Sequence, residues 1–530
     1  MDKKKLKLKK FRFHPITTIL LLTISIIILS GIASAFEMQA TYKTINTNTN
    51  ELEPVLIAVE NLLSVAGIKL IISNAMTNFL SFAPFGTLII SLIGLAIAEA
   101  SGAIEAFSKK FIKPMPNWVL TFLVIFLAIT SSLINEVGYA ILIPLFALIF
   151  FINGRNPILG IVTTFCGVAF GYGISIFVGS TDIALRDYTE NAAHLIDSNY
   201  HVALSSNLIF IVIASIVISI VGTVIIEKIM VNRIGHYKKE EAESKTEQYR
   251  VINYDEEEQK KIERERNEKR GLKYSLIVGI IILILYIYSL IPGLPSSGVL
   301  LDTSAKAYVD QLFGDNAYFQ SSFTYMVSLF FALTGIAYAI GARTFKNDKE
   351  FIAEASSKFK NIGSILLLMF VFSQFIAVYK ESNFGMVLNT YLANLLEQMN
   401  ISGIFLILVT MLFIGIGNIL FTGTSSKWMI FAPIVVPMFM QSNITPEFAQ
   451  VVMRSSLSMT NGITPLLASF VIFIGYLNIY NLNKNKPYTI RGSLKLIAPY
   501  FGLIALTWIL LVIGWYIIGA PLGAGAFPTL

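Results

Sequence analysis

Charge is what this chain has least of: Asp, Glu, Lys and Arg make up only 14% of its 530 residues. A soluble protein of this length needs far more polar surface to cover its core. Cysteine is nearly absent too. Cys166 stands alone, which excludes an internal disulfide and any multi-cysteine metal site. The four histidines, His14, His194, His201 and His236, form no ligand spacing on a shared face. No Gly-x-x-x-x-Gly-Lys-Ser/Thr loop occurs, which counts against a nucleotide-driven pump. No His/Asp/Ser constellation supports an intramembrane enzyme, so the chain is read as a non-enzyme.

What is there is apolar. Hydrophobic residues make up 55% of the chain, and the mean hydropathy is +0.68. Several uncharged runs reach the ~20 residues that cross the hydrocarbon layer as a helix. Lipid offers no hydrogen-bond partners, so such runs satisfy their backbone internally. The fold class expected is all-α integral membrane. The net charge of +7 does not point to nucleic acid, because it collects in Lys3-Lys4-Lys5, Lys9-Lys10 and alternate loops. That is the positive-inside pattern of a multi-pass protein of the plasma (inner) membrane with a cytoplasmic N-terminus. The apolar run Ile16 to Phe36 is long for a signal segment and suits a retained first helix.

Hydropathy and loop charge divide the chain. Residues 1–84 hold the first helix, 16–36, and an amphipathic interfacial helix over 56–81. Residues 85–232 form a first repeat: a span 85–107, a re-entrant hairpin 118–152, a broken helix 157–184 and a span 202–230. A charged cytoplasmic loop, 233–272, reads as a solvated helix. Connecting helices at 273–292 and 321–342 fill 273–360. A second repeat, 361–480, holds a span 361–380, hairpin two (401–441) and a broken helix (446–478). Residues 481–530 carry the last helix, 496–519. The total is nine transmembrane helices plus two re-entrant hairpins.

The halves repeat without a gap. A shift of 289 lays Pro144 on Pro433, Phe150 on Phe439, Pro157 on Pro446, Gly173 on Gly462 and Ile174 on Ile463. The span count gives the copies opposite orientation. Inverted repeats with discontinuous helices meeting at the midplane are a transporter signature. A broken helix leaves amide and carbonyl groups unpaired at membrane depth, where cavity water, a cation or an anionic solute can satisfy them. The residues at the breaks and hairpin tips suit that use: Asn135, Glu136 and Ser175 in one half, and Asn418, Thr424, Ser425, Asn461 and Thr464 in the other. Asn418 is a candidate Na⁺ ligand. Ionisable residues inside spans mark function. Arg454 cannot lose its charge and needs an anion, from the protein or from the solute. Asp182 is a site residue or an interfacial cap. Glu136 suits proton coupling, and Glu99 marks a helix end or joins the site. Lys427 neutralises an anion or, the preferred reading, snorkels outward. Trp428 either stacks on an aromatic solute or simply packs.

These same residues resemble a known family. Gly417-Asn418-Ile419-Leu420-Phe421-Thr422-Gly423-Thr424-Ser425-Ser426-Lys427-Trp428, followed by Ala432-Pro433-Ile434-Val435-Val436-Pro437, is similar to the second hairpin of the p-aminobenzoyl-glutamate transporter (AbgT) family. Arg454, Asn461, Ile463, Thr464 and Pro465 continue the pattern. Ala96–Gly102, Gly138-Tyr139 and Gly179-Ser180-Thr181-Asp182 resemble it in the first half. The resemblance implies a homodimer of nine-span, two-hairpin protomers. It also implies transport of p-aminobenzoyl-glutamate, or export of sulfonamide-like antimetabolites, with Na⁺ or H⁺ as coupling ion and no other cofactor. The family's functional positions fall on Asp182, Asn418, Ser425, Trp428, Arg454 and Pro465. Two departures stand out: Leu457 where the family carries aspartate, and Glu136 where it usually does. A dicarboxylate or amino-acid carrier on the same scaffold, or a channel, is the alternative reading.

Overall fold

The computed structural model describes residues 13–46, 49, 51–134, 137–237, 254–314, 316–359 and 362–530; side chains of 254–262 are outside the description. Helix α1, Pro15–Ala35, starts with proline in its first turn behind a His14 cap. Its flanks expose Leu20, Leu21, Ile24, Ile28 and Leu29, as a lipid-facing helix should. A β-hairpin follows: β1 (Gln39–Ile45) pairs antiparallel with β2 (Leu52–Ala58), Tyr42 opposite Val55. The expected interfacial helix over 56–81 is thus shortened at its start. Its first residues complete β2, and helix α2, Val65–Leu80, begins only where Ser64 accepts from the Gly67 amide. The alternation of β-branched and aromatic residues in Thr41-Tyr42-Lys43-Thr44-Ile45 explains the strand.

Helix α3, Ala83–Ala100, ends at Gly102, whose φ of 86° turns the chain into α4, Ala103–Phe107. Next come α5 (Asn117–Thr130), a tight turn Ser131–Ile134, a wide turn Gly138–Leu142 and α6 (Ile143–Ile152). Arg155 Nη1 donates to the Asn117 carbonyl at 3.3 Å, so this segment returns to where it began. Then follow α7 (Pro157–Phe170), a break, and α8 (Ser180–Ala193), which carries the second broken arm beyond the expected residue 184. Helix α9 is Leu208–Ile234. Helix α10, Tyr254–Tyr288, joins the described part of the charged segment to the next span as one helix.

The remainder comprises α11 (Tyr308–Phe313), α12 (Phe319–Ala342), α13 (Asp348–Ser357), α14 (Ile362–Glu381) and α15 (Phe384–Glu397), the last not anticipated from sequence. After them come α16 (Gly403–Leu420), α17 (Thr424–Gln441), α18 (Pro446–Thr460), a tight turn Asn461–Ile463, α19 (Phe470–Ile479) and α20 (Ile490–Ile518). Among the described residues, nine helices are long and apolar enough to cross a membrane. The number matches the expectation but the membership differs. It includes the hairpin arms at 117–134 and 403–420, and omits the broken helices, whose pieces are too short.

The 289-residue shift carries the start of α7 from Pro157 to Pro446, the start of α18. Both helices open on a proline behind a capping side chain, Asn156 or Thr445. Contacts beside the two hairpins lead towards opposite ends of α20. Beside hairpin one, Asn156 Nδ2 bonds the Gly235 carbonyl at 3.1 Å, and Arg233 reaches the Lys495 carbonyl near the start of α20 at 2.9 Å. After hairpin two, Thr445 Oγ1 bonds the Phe527 carbonyl at 2.6 Å, beyond the end of α20. Helix α20 has 29 residues and so is about 43 Å long.

The broken helices are the core. Every residue of α7 is buried, as is every residue of α18 except Met459. Interrupted backbone is tolerated at membrane depth only where protein or a cavity surrounds it, and these elements meet that condition. Around them, α3 and α12 pack so closely that a Cβ on Gly94 would lie 2.1 Å from the Ser328 carbonyl oxygen. That is the small-residue contact by which membrane helices associate.

Candidate functional site

The first break begins where α7 ends at Gly171-Tyr172-Gly173, with Gly173 at φ 79°. A broken helix exposes carbonyls, and each needs a donor. Side chains from other elements supply them. Trp508 Nε1 donates to the Phe170 carbonyl at 3.0 Å. Ser458 Oγ donates to the Tyr172 carbonyl, and Arg454 Nη1 to that of Gly173 at 3.0 Å. Ser132, at the tip of hairpin one, donates to the Ile174 carbonyl at 2.7 Å. Ser215 on α9 donates to the Ser175 carbonyl at 3.3 Å.

The end of α16, at the tip of hairpin two, is served in the same way. Asn389 Nδ2 reaches the Gly417 carbonyl at 3.2 Å, Thr464 Oγ1 that of Ile419 at 2.9 Å, and Tyr379 Oη that of Leu420 at 2.5 Å. Lys427 Nζ reaches the Phe421 carbonyl at 3.1 Å. Each half therefore joins its hairpin tip to its own break, through Ser132–Ile174 in one and Thr464–Ile419 in the other. The halves also join each other: Tyr172 Oη and Thr424 Oγ1 share a hydrogen bond of 3.0 Å.

Arg454 and Asp182, 272 positions apart, form the central contact. Arg454 Nη2 is bonded to Asp182 Oδ1, and the side chains are only 3% and 8% exposed. Asp182 Oδ2 also accepts from the Gly179 amide at 2.7 Å, where α8 begins. Of the two anions Arg454 could meet, the protein supplies one. Its Nε still has no hydrogen-bond partner among the described residues, nor have Gln450 Nε2 and Asn461 Nδ2, all buried. Positions 450, 454 and 461 are separated by four and seven, which places them on one stripe of α18 and its end.

Other candidates fall as follows. Asn418 is buried; its Nδ2 donates to Thr460 Oγ1 at 3.1 Å and its Oδ1 accepts from Lys427. Lys427 does not snorkel: it is 1% exposed, because the Phe421 carbonyl and the Asn418 side-chain oxygen hold it inward. Trp428 is fully buried, its Nε1 bonded to Thr189 Oγ1 of α8 at 2.8 Å. Thr464 and Asn461 line the second break, while Ser425 and Pro465 are half-buried at the tip and the break. Ser175 closes a local turn with Phe177. Asn135 and Glu136 lie outside the described residues. Glu99 sits at the end of α3 and pairs with Lys358 at 3.3 Å. Among the described residues no cluster of three His, Cys, Asp or Glu could hold a metal.

Sequence reasoning missed a polar group at the head of α18. Tyr200 Oη donates to Glu447 Oε2 at 2.8 Å, and Asn207 Nδ2 donates to Gln450 Oε1 at 2.9 Å. The four-residue spacing of Gln450 and Arg454 was the available signal.

Comparison with known proteins identifies the family. Residues 10–530 match the AbgT putative transporter family. The p-aminobenzoyl-glutamate transport protein of Escherichia coli (strain K12) is 28% identical over 518 residues, 98% of this chain and 94% of that protein. Two solved structures are similar. The YdaH transporter of Alcanivorax borkumensis, described as having an unusual topology, shares 26% identity over 96% of this chain and 100% of its own, with a TM-score of 0.46. MtrF of Neisseria gonorrhoeae, described as illuminating a class of antimetabolite efflux pumps, shares 28% over 98% of each chain, with a TM-score of 0.47. The chain belongs to the AbgT putative transporter family and is a multi-pass membrane transporter.

Proposed function

We propose that this chain is a secondary transporter that moves p-aminobenzoyl-glutamate, or a related acidic aromatic solute, through the junction of the two helix breaks. One observation carries the reading. Among the described residues, Arg454 Nε, Gln450 Nε2 and Asn461 Nδ2 are buried donors without acceptors, aligned along α18 and its end. Buried donors are costly until paired, and a solute rich in acceptors, above all a carboxylate, pairs them. The relationship to the Escherichia coli p-aminobenzoyl-glutamate transport protein names the first solute to try.

Contacts that lead from beside the two hairpins towards opposite ends of α20 support two inverted, re-entrant copies that rock about the breaks. The gradient of a small cation drives the movement. The protein lies in the inner membrane with its N-terminus in the cytoplasm, as the lysine-rich start indicates, and pairs as a homodimer. The test is uptake and efflux of labelled p-aminobenzoyl-glutamate in proteoliposomes, with Na⁺ and proton gradients imposed separately. Saturable, gradient-driven movement is expected. Movement under neither gradient would refute this solute and turn the search to dicarboxylates and amino acids.

A further inference from the structure

We propose that the ammonium group of Lys427 is the resident cation of hairpin two, and that this chain therefore binds no Na⁺ at Asn418. The inference deepens the transporter reading by restricting its coupling ion, but the occupancy itself is tested without transport.

The end of α16 is where a cation belongs. Its last carbonyls carry the negative pole of the helix, at membrane depth. A metal ion there needs several oxygens turned toward it, in competition with any donor already bound to them. In this chain many of them already hold a donor. The carbonyls of Gly417, Ile419 and Leu420 accept from Asn389, Thr464 and Tyr379. Asn418 Oδ1 and the Phe421 carbonyl, also at the tip, both accept from Lys427 Nζ. Thr460 Oγ1 is committed as well, accepting from Asn418 and donating to the Ser456 carbonyl at 2.9 Å.

The charge balance points the same way. Among the described residues, no Asp or Glu forms an ion pair with Lys427. Leu457, 1% exposed, stands where the family pattern has aspartate, and its backbone carbonyl accepts from Asn418 Nδ2 at 3.4 Å. With aspartate there, as in the family pattern, the pocket would hold a negative charge and could balance a second cation. With leucine it cannot. Two like charges about 4 Å apart in a partly shielded site repel strongly enough to weaken binding of the second roughly a thousandfold.

The test is equilibrium binding of radiolabelled Na⁺ to the purified full chain in detergent, with K⁺ as ionic-strength control. Wild type is expected to show no saturable Na⁺ binding that depends on Asn418. The double variant Lys427→Met/Leu457→Asp removes the tethered cation and restores a carboxylate. It is expected to gain saturable binding at least about tenfold tighter than any residual wild-type signal, lost again on adding Asn418→Ala. Saturable binding by wild type that Asn418→Ala abolishes would overturn the proposal. So would a folded double variant that binds no Na⁺. The wild-type comparison needs only Asn418→Ala, so it decides the matter even where the double variant fails to fold.

Discussion

Neutralising Asp182 isolates the central ion pair. In Asp182→Asn the side chain keeps its shape and can still accept from the Gly179 amide, which Asp182 holds at 2.7 Å. Only the charge facing Arg454 is lost. Arg454 is then a guanidinium 3% exposed, left with the neutral Gly173 carbonyl at 3.0 Å. Removing one member of a buried pair costs about 3–5 kcal/mol, because the other charge stays buried and unbalanced. Removing both charges does not repeat that penalty. In a cycle of Asp182→Asn, Arg454→Met and the double variant, each single change should therefore lose about 3–5 kcal/mol. The double should recover at least ~1–2 kcal/mol of their sum, the size of a contact coupling. Reversible unfolding in mixed SDS–detergent micelles, followed by tryptophan fluorescence, measures all three. Additivity to within about 0.5 kcal/mol would refute the reasoning, since it would mean the pair is not coupled.

Thr464→Val keeps the side-chain shape but leaves the Ile419 carbonyl without its donor, so thermal denaturation in detergent should show a loss of about 1–3 kcal/mol. An unchanged midpoint would mean another donor takes over. Gly94→Ala places a methyl against the Ser328 carbonyl and should destabilise the α3–α12 contact by about 1–3 kcal/mol; full stability in the same assay would show that the two helices separate freely. Trp428→Phe removes the bond to Thr189 and should cost about 1 kcal/mol of stability while leaving solute affinity unchanged, measured by equilibrium binding. A collapse in affinity would put the indole against the solute.

Much of the architecture was legible because membrane helices announce themselves. Spans such as 321–342 and 361–380 coincide with α12 and α14 within two residues. The breaks were legible because Gly-Tyr-Gly and Asn-Gly-Ile-Thr-Pro interrupt apolar runs. The β-hairpin was not, since Leu52–Ala58 is an apolar stretch whose partner strand decides its conformation. Nor was α15, whose Asn389 and Thr390 are buried polar residues that break the hydropathy signal of a helix. Arg454 was legible as a cation needing an anion, and Asp182 as a carboxylate out of place. That each is the other's partner depends on how the halves pack. The inward turn of Lys427 was likewise hidden: snorkelling is the default for a lysine near an interface, and only the assembled hairpin tip offers it better acceptors.

The capping of the broken backbone has a consequence for hydration. The donors at the first break and at the tip of hairpin two belong to other elements: Trp508 to α20, Ser458 and Arg454 to α18, Tyr379 to α14. If, as proposed, one half of the molecule moves against the other, these bonds cannot all persist. Each carbonyl they release must find a new partner at once, because none is available from lipid. Water is the substitute that fits everywhere. Opening the junction is therefore a wetting event, with several water molecules admitted each time and expelled each time it closes. Large osmolytes that cannot enter the junction draw water from it, and should slow the cycle in proportion to their osmotic pressure, whatever solute is carried.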